Sequence, residues 1–300
     1  MQLRDEVLRT LLYYDIWSYP LTAKELYTFL PMNSITFDQF KDRLVKEIDG
    51  RDLHEHNGFY YVQGRTSAVV QDRQRRANHA KRMWYMARLA MHVIKRFPFV
   101  RAVFVSGDLS KNATHATSDV DFFILTEPER LWIARSMLIV FKKVFLFNKK
   151  KFFCLNFFST TNNLELKEQN IFLATEIATL KPLFNRVLFN QYLEANSWTR
   201  DYFPNFDLAH ISLPKTNERA SVIQKLLEFP FRFFNAGRLD EILMNKMERI
   251  WEKRYPEYNE ETRKRIFKCT RQESRAYVGD FESKILAQYE QRLKDFGISH

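Results

Sequence analysis

Between residues 105 and 123 the chain reads Val105-Ser106-Gly107-Asp108-Leu109-Ser110-Lys111, then a polar loop, then Ser118-Asp119-Val120-Asp121-Phe122-Phe123. The apolar run 101–105 delivers Gly107 to a turn, and a short helix is expected to follow it. Asp119 and Asp121 are two residues apart in the strand pattern DVDFFIL, so both carboxylates are expected to project from one face. Two adjacent carboxylates repel each other unless a cation lies between them. The pair suits Mg²⁺ or Mn²⁺, and Mg²⁺ is a hard ion that takes one or two carboxylates and completes its shell with phosphate oxygens. A glycine turn lets backbone N–H groups approach phosphates, helped by the helix that follows. Lys111 adds a point charge suited to a polyphosphate.

These residues need strands and helices to hold them. Residues 101–105 (RAVFV), 119–125 (DVDFFIL) and 152–158 (FFCLNFF) read as strands. Between the second and third, Thr126-x-x-Glu129 with Pro128 reads as the start of a helix running through LWIARSMLIVFKKVFLF. Ahead of them, 70–97 reads as one long helix with the apolar stripe Met83, Met86, Ala90, Val93 and Phe97. Lys81, Arg88 and Lys95 are seven apart and share another face, expected to be a solvated basic face or to border a phosphate-bearing ligand. Residues 1–65 show three short helical segments, one opened by the capping box Thr36-x-x-Gln39, and then a hairpin at Asn57-Gly58. Helix, helix, helix, hairpin is the order of a winged helix. Beyond about 164 the pattern is helical to the end. Three units are expected: a winged-helix-like module (1–65), a core with its leading basic helix (66–160) and a helical C-terminal domain (161–300).

The segment VFVSGDLSKNATHATSDVDFFIL resembles the signature of the DNA polymerase β-like nucleotidyltransferase superfamily. That signature is a hydrophobic strand, Gly-Ser or Gly-Gly, a spacer of roughly ten residues, and Asp-x-Asp in a second hydrophobic strand. The resemblance covers about residues 98–160. It implies an α+β fold whose core is a mixed sheet with helices on one side. The winged helix before it and the helical region after it resemble accessory domains around bacterial members. The resemblance also implies Mg²⁺-dependent transfer of a nucleoside monophosphate from a nucleotide triphosphate to an acceptor. Matched residue by residue, Gly107 is the motif glycine, Asp119 and Asp121 are the catalytic, metal-binding pair, and Ser106 and Ser118 flank them, with Asp108 and Lys111 in the nucleotide-binding turn. Two positions depart from the pattern. Asp108 stands where the family has a small residue. The strand that often carries a third carboxylate offers only Asn156, an amide that cannot accept a proton. Glu165 and Glu176 lie downstream, at positions that the motif does not fix. The acceptor is left open as a protein, a small molecule or RNA. A catalytically silent nucleotide-binding or scaffolding protein of the same fold is the alternative.

Composition narrows the partners. The 300 residues carry 47 Lys and Arg against 36 Asp and Glu, a net charge of +11. Residues 65–101 hold ten basic residues and only Asp72, whereas residues 1–64 sum to −3. DNA affinity rests largely on phosphate neutralisation, so the winged-helix order in an acidic module argues against DNA. No uncharged apolar run approaches a membrane span, and MQLRDEVLRT lacks the apolar core of a signal peptide. A cytoplasmic protein without a membrane partner is expected. Cys154 and Cys269 are too few for a disulfide framework and read as buried apolar thiols, and Arg130 and Arg135 read as helix-surface residues.

Overall fold

The computed structural model describes residues 3–48, 50–148, 151–207, 221–233, 235–276 and 279–298. The N-terminal elements are α1 (Leu3–Asp15), β1 (Leu21–Thr22), α2 (Ala23–Thr28), α3 (Phe37–Glu47), β2 (Leu53–His56) and β3 (Phe59–Val62). The Thr36 side chain accepts from the Gln39 N–H while the Gln39 side chain accepts from the Thr36 N–H, which closes the capping box. Asn57 and Gly58 have φ of 53° and 77°, the left-handed pair that a tight hairpin turn between twisted strands requires. The three strands form a small antiparallel sheet in the order β1-β3-β2.

The long helix α4 (Ala68–Ile94) follows. Its buried stripe is Ala80, Met83, Ala87, Ala90 and Ile94 rather than the Met83, Met86, Ala90, Val93 and Phe97 set, so the helix is rotated by about one position. Lys95 is buried and sits 5.8 Å from the Phe184 ring centroid, so it does not belong to an exposed face with Lys81 and Arg88. Much of the basic charge of this region is met inside the fold. Arg65 pairs with Asp15, Arg73 with Glu25, Arg76 with Asp72, and Arg101 with Glu127 and Glu228. The acidic N-terminal module and the basic helix neutralise each other.

The remaining elements are β4 (Val100–Ser106), α5 (Gly107–Ser110), β5 (Asp121–Thr126), α6 (Leu131–Phe145), β6 (Cys154–Thr160), α7 (Ile171–Thr179), β7 (Lys181–Phe184), α8 (Arg186–Ala195), α9 (Thr199–Tyr202), α10 (Val222–Glu228), α11 (Ala236–Arg254), α12 (Glu260–Ile266), β8 (Phe267–Cys269), β9 (Glu273–Ala276) and α13 (Phe281–Asp295). Six strands form one mixed sheet in the order β7-β4-β5-β6-β9-β8. All neighbours are antiparallel except β5 and β6. The fold is therefore α+β with a mixed sheet.

Two expectations about this sheet are corrected. Helices cover both of its faces, not one. Ala102, Phe104, Phe123, Leu125 and Phe157 pack with α1, α7, α8 and α13, while Val103, Val105, Phe122, Ile124 and Phe158 pack with α4, α6 and α11. The unbroken apolar runs of β4 and β5 are what a strand buried on both faces needs. Second, the region after 160 is not purely helical, because it supplies β7, β8 and β9, and the boundary drawn at 160/161 cuts through the sheet. Each of these strands lacks a strand pattern. In β7, Pro182 lies on an edge, where its missing N–H is tolerated. In β9 (ESRA) the buried residues are polar, with Arg275 paired to Glu168 at 2.9 Å.

The start of α6 is also corrected. Thr126 does not cap it: the Thr126 hydroxyl donates to the Ser159 carbonyl and the helix begins at Leu131. The N-terminal amides of Trp132 and Ile133 donate to Asp240 Oδ1, at 2.8 and 2.9 Å, across to α11. Arg135, expected on the surface, is buried with its guanidinium 4.8 Å from the Phe158 ring centroid and 5.7 Å from that of Trp251. Among the described residues no helix is long and apolar enough to cross a membrane.

Asp240 is buried, and burial pushes its carboxyl up to about 6 despite the two amides. Asp240→Ala leaves both amides without an acceptor and should lower the urea unfolding free energy by roughly 1–3 kcal/mol. Asp240→Asn keeps an acceptor oxygen and should lose less than half of that. Equal losses in the two variants would contradict the capping role.

Candidate functional site

Gly107 ends β4 and opens the one-turn helix α5. Its φ is +66°, and a Cβ built on it would lie 2.6 Å from Asp121 Oδ2. Glycine is therefore required twice, by the left-handed backbone and by the carboxylate against it. Asp121 is paired in register with Ser106 of β4 on one side and with Cys154 of β6 on the other. Only Asp121 of the two aspartates belongs to β5, because the strand begins there. Asp119 lies just before it. Val120 between them is fully buried, and its backbone donates to the Lys151 carbonyl and accepts from the Cys154 N–H. Extended pairing thus reaches back to Val120 and leaves the two aspartates flanking a buried residue.

The charges around Asp121 are nearly all negative. Burial pushes its carboxyl up to about 7; the charges of Asp108, Asp119 and Glu176 push the same way, and a hydrogen bond from the Cys154 thiol opposes them. Burial, with Asp121 beside it, pushes the Cys154 thiol up to about 12, so it remains a protonated donor. Cys154 is therefore a polar neighbour of Asp121 rather than an inert apolar thiol. Among the described residues no lysine or arginine forms an ion pair with Asp119 or Asp121.

A cavity of about 740 Å³ opens against this group. Of the sequence-selected residues, Ser106, Gly107, Asp108, Lys111, Asp121 and Asn156 line it. Ser118 and Asp119 are not on its wall. The Ser118 hydroxyl donates to Asp108 Oδ2 at 2.6 Å and accepts from the His115 N–H, so it braces the spacer loop against α5. Asn156 reaches the cavity because the β5–β6 register shifts between Phe122 and Phe123, and such a bulge re-aims a side chain. Lys111 does not pair with Asp108. Its ammonium lies 2.6 Å from Glu176 Oε1 and 3.4 Å from the Gly107 carbonyl.

Glu176 is the cavity residue that motif reasoning leaves unplaced. It lies on α7, IFLATEIAT, as the only charged residue of an otherwise apolar and hydroxylic helix, which is the signal that could have singled it out. Arg76 of α4 also lines the cavity, but sequence could not separate it from its basic neighbours. Lys81, Arg88 and Lys95 do not line it. The loop between Lys111 and Thr114 is fastened from outside. Tyr19 donates to the Lys111 carbonyl, Trp84 Nε1 donates to Asn112 Oδ1, and His79 Nδ1 lies 3.0 Å from Thr114 Oγ1.

Asp119 and Asp121 are the residues that could hold a cation. Among the described residues no group of three or more His, Cys, Asp or Glu side chains stands ready to hold a metal. Two carboxylates beside further negative charge, one of them kept partly protonated by its surroundings, suit an ion that brings the rest of its shell as phosphate oxygens and water. Comparison with protein families, with characterised proteins and with solved structures gives no match for this chain.

Two outcomes follow from the Gly107–Asp121 contact. Gly107→Ala should cost roughly 1–3 kcal/mol of stability through backbone strain and the close approach, measured by urea unfolding, and a neutral substitution would contradict the geometry. The second concerns pH. The folded state holds a proton on Asp121 that the unfolded chain releases near pH 4, so this group's contribution to stability is lost as pH rises from about 4 to about 7. Metal-free Asp121→Asn should therefore gain on the wild type across that window, by roughly 1–3 kcal/mol at pH 8. A stability difference independent of pH would contradict the crowding.

Proposed function

We propose that the chain is a metal-dependent nucleotidyltransferase of the DNA polymerase β-like type, with residues 1–65 as an attached winged-helix-like module. The observation that carries this reading is the Gly107 turn closed directly onto Asp121, at the head of a cavity where Asp108, Asp121 and Glu176 converge, with no basic partner on either motif aspartate among the described residues. The order β4, α5, loop, β5, α6, β6, with an antiparallel pair followed by a parallel one, supports it as a short mixed sheet of the implied kind.

In this reading Asp119 and Asp121 would hold Mg²⁺ or Mn²⁺, which supplies charge neutralisation at the phosphates of a nucleotide triphosphate. Ser106 and the Gly107 turn bind the phosphate chain beside it. An acceptor hydroxyl or phosphate oxygen attacks the α-phosphorus, the bond from that phosphorus to the bridging oxygen breaks, and pyrophosphate leaves. Asn156 cannot take the acceptor's proton, whereas Glu176, on the same cavity wall, has a carboxylate that can. For that, Glu176 must leave Lys111, whose ammonium is then free to meet the departing phosphates.

The same ion pair favours a second reading. With Lys111 held by Glu176 and an amide at 156, the protein binds nucleotide with Mg²⁺ and does not turn it over, serving as a silent module. Incubation with α-labelled nucleotide triphosphates, Mg²⁺ and cell extract separates the two. Transfer of label with pyrophosphate release supports the enzyme, and saturable binding without label transfer supports the silent module. The Asp119→Asn, Asp121→Asn double variant should lose metal-dependent binding in either case, and full activity in it would end both readings. In the active case Glu176→Gln should lower kcat by roughly 10²–10⁴-fold with the triphosphate KM little changed.

A further inference from the structure

A second cavity of about 690 Å³ lies on the far side of Lys111, between the N-terminal module and the core. Tyr14, Tyr19 and Lys111 line both cavities, so they form a shared wall. The second cavity differs in chemistry from the first. Its basic residues are all lysines: Lys24, Lys111 and Lys181. Its aromatic residues are Tyr14, Tyr19, Tyr27, Phe29 and Phe37, with the Arg73 guanidinium over the Tyr19 ring and Tyr27 packed edge-on against Phe37. Of its two acids, Glu25 is already engaged by Arg73 and by the Thr22 N–H, and Asp207 is the other.

Lys181 is the unusual member. It is half-buried at the first position of the edge strand β7, and among the described residues its ammonium has no ion pair and no hydrogen bond. Burial and the like charge of Lys111 pull it below the ordinary lysine range. An ammonium held without a partner beside another ammonium costs stability unless something anionic joins it. The Tyr14 hydroxyl points to the same need. Tyr14 is 3% exposed, lines both cavities, and its hydroxyl has no hydrogen-bond partner among the described residues. Lysines act on anions as mobile point charges, and two ammoniums side by side suit a dianion such as a phosphomonoester better than a singly charged carboxylate. This cavity has lysines and no arginine on its wall.

We propose that this second cavity binds a phosphomonoester carried on a planar aromatic body, with Lys181 and Lys111 on the phosphate, Lys24 at its rim, and the body between the tyrosine and phenylalanine rings. The site stands independently of the metal-site reading, because none of the motif aspartates lines it. It shares a wall with that site and bears on its charge through Lys111: a phosphate in the second cavity competes with Glu176 for the same ammonium.

The test is calorimetric titration of the full chain with phenyl phosphate, beside phenol and inorganic phosphate as half-ligands. Phenyl phosphate should saturate one site, and each half-ligand should bind at least about tenfold more weakly, since one lacks the charge and the other the stacking. Lys181→Met should weaken phenyl phosphate by at least about tenfold while melting at or above the wild-type temperature without ligand, because it removes an unpaired charge. Lys24→Met, at an exposed position, should weaken binding about threefold, near the low end for a partly screened charge, and it serves as the reading if Lys181→Met does not fold. Glu176→Gln should tighten binding by freeing Lys111. The Asp119→Asn, Asp121→Asn double variant should bind as the wild type does, so failure of the metal-site reading leaves this result intact. No saturable binding, or undiminished binding in both lysine variants, would overturn the proposal. Binding lost in the aspartate variant and kept in the lysine variants would do so as well, by moving the ligand to the first cavity.

Discussion

A carboxylate packed against a glycine backbone, with further negative charge around it, is the constraint from which the rest of this structure can be reasoned. Asp121 has its carboxylate where any Cβ at residue 107 would have to go. That contact forces glycine into the turn and fixes how β4 hands over to α5. The spacer loop is pinned by Ser118, Tyr19, Trp84 and His79, and it brings Asp119 back beside Asp121. Ser118 gives Asp108 one hydrogen-bond donor, but none of these contacts brings a cation to Asp119 or Asp121. The fold keeps the cluster by burying one member enough to hold a proton and by giving it a thiol as hydrogen-bond donor. Such arrangements cost stability in isolation, and in the proposed reading a cation among the carboxylates would reverse the sign of the interaction.

Both cavities meet at Lys111. In the structure its ammonium lies toward Glu176, which neutralises one acid of the first cavity and leaves Lys181 in the second without a counter-ion among the described residues. The N-terminal module takes part in this arrangement as well. Its Tyr14 and Tyr19 line the shared wall, and Asp15 is held by Arg65 and by Arg292 of α13. The module's acidity, which argued against DNA, is used at home: Asp15 and Glu25 meet Arg65 and Arg73 of the basic segment.

Where one local interaction decided the outcome, the sequence was legible. The capping box at Thr36, the Asn57-Gly58 turn, and the apolar runs of β4, β5 and β6 were all readable, and so was the Gly107 turn before the aspartates. Features decided by partners distant in the chain were not. Thr126 looked like the cap of α6, yet Asp240, more than a hundred residues later, does that work. β7 and β9 carry Pro182 and Arg275 where apolar alternation would be expected, because an edge position tolerates the first and Glu168 pairs with the second. Glu176 could be seen as a lone acid in an apolar helix, but only the packing of α7 against the sheet puts it beside Lys111. The buried setting of Arg135, between Phe158 and Trp251, was hidden for the same reason.

The most direct measurement of the central claim is the titration of the Asp121 side chain, followed by carbon NMR of aspartate-labelled protein with Asp121→Asn as the assignment control. The account predicts a midpoint near 7 in the metal-free protein, moving down by more than one pH unit when millimolar Mg²⁺ is added. A midpoint near 4 that Mg²⁺ leaves in place would mean that the carboxylates around Gly107 are neither crowded nor built for a cation.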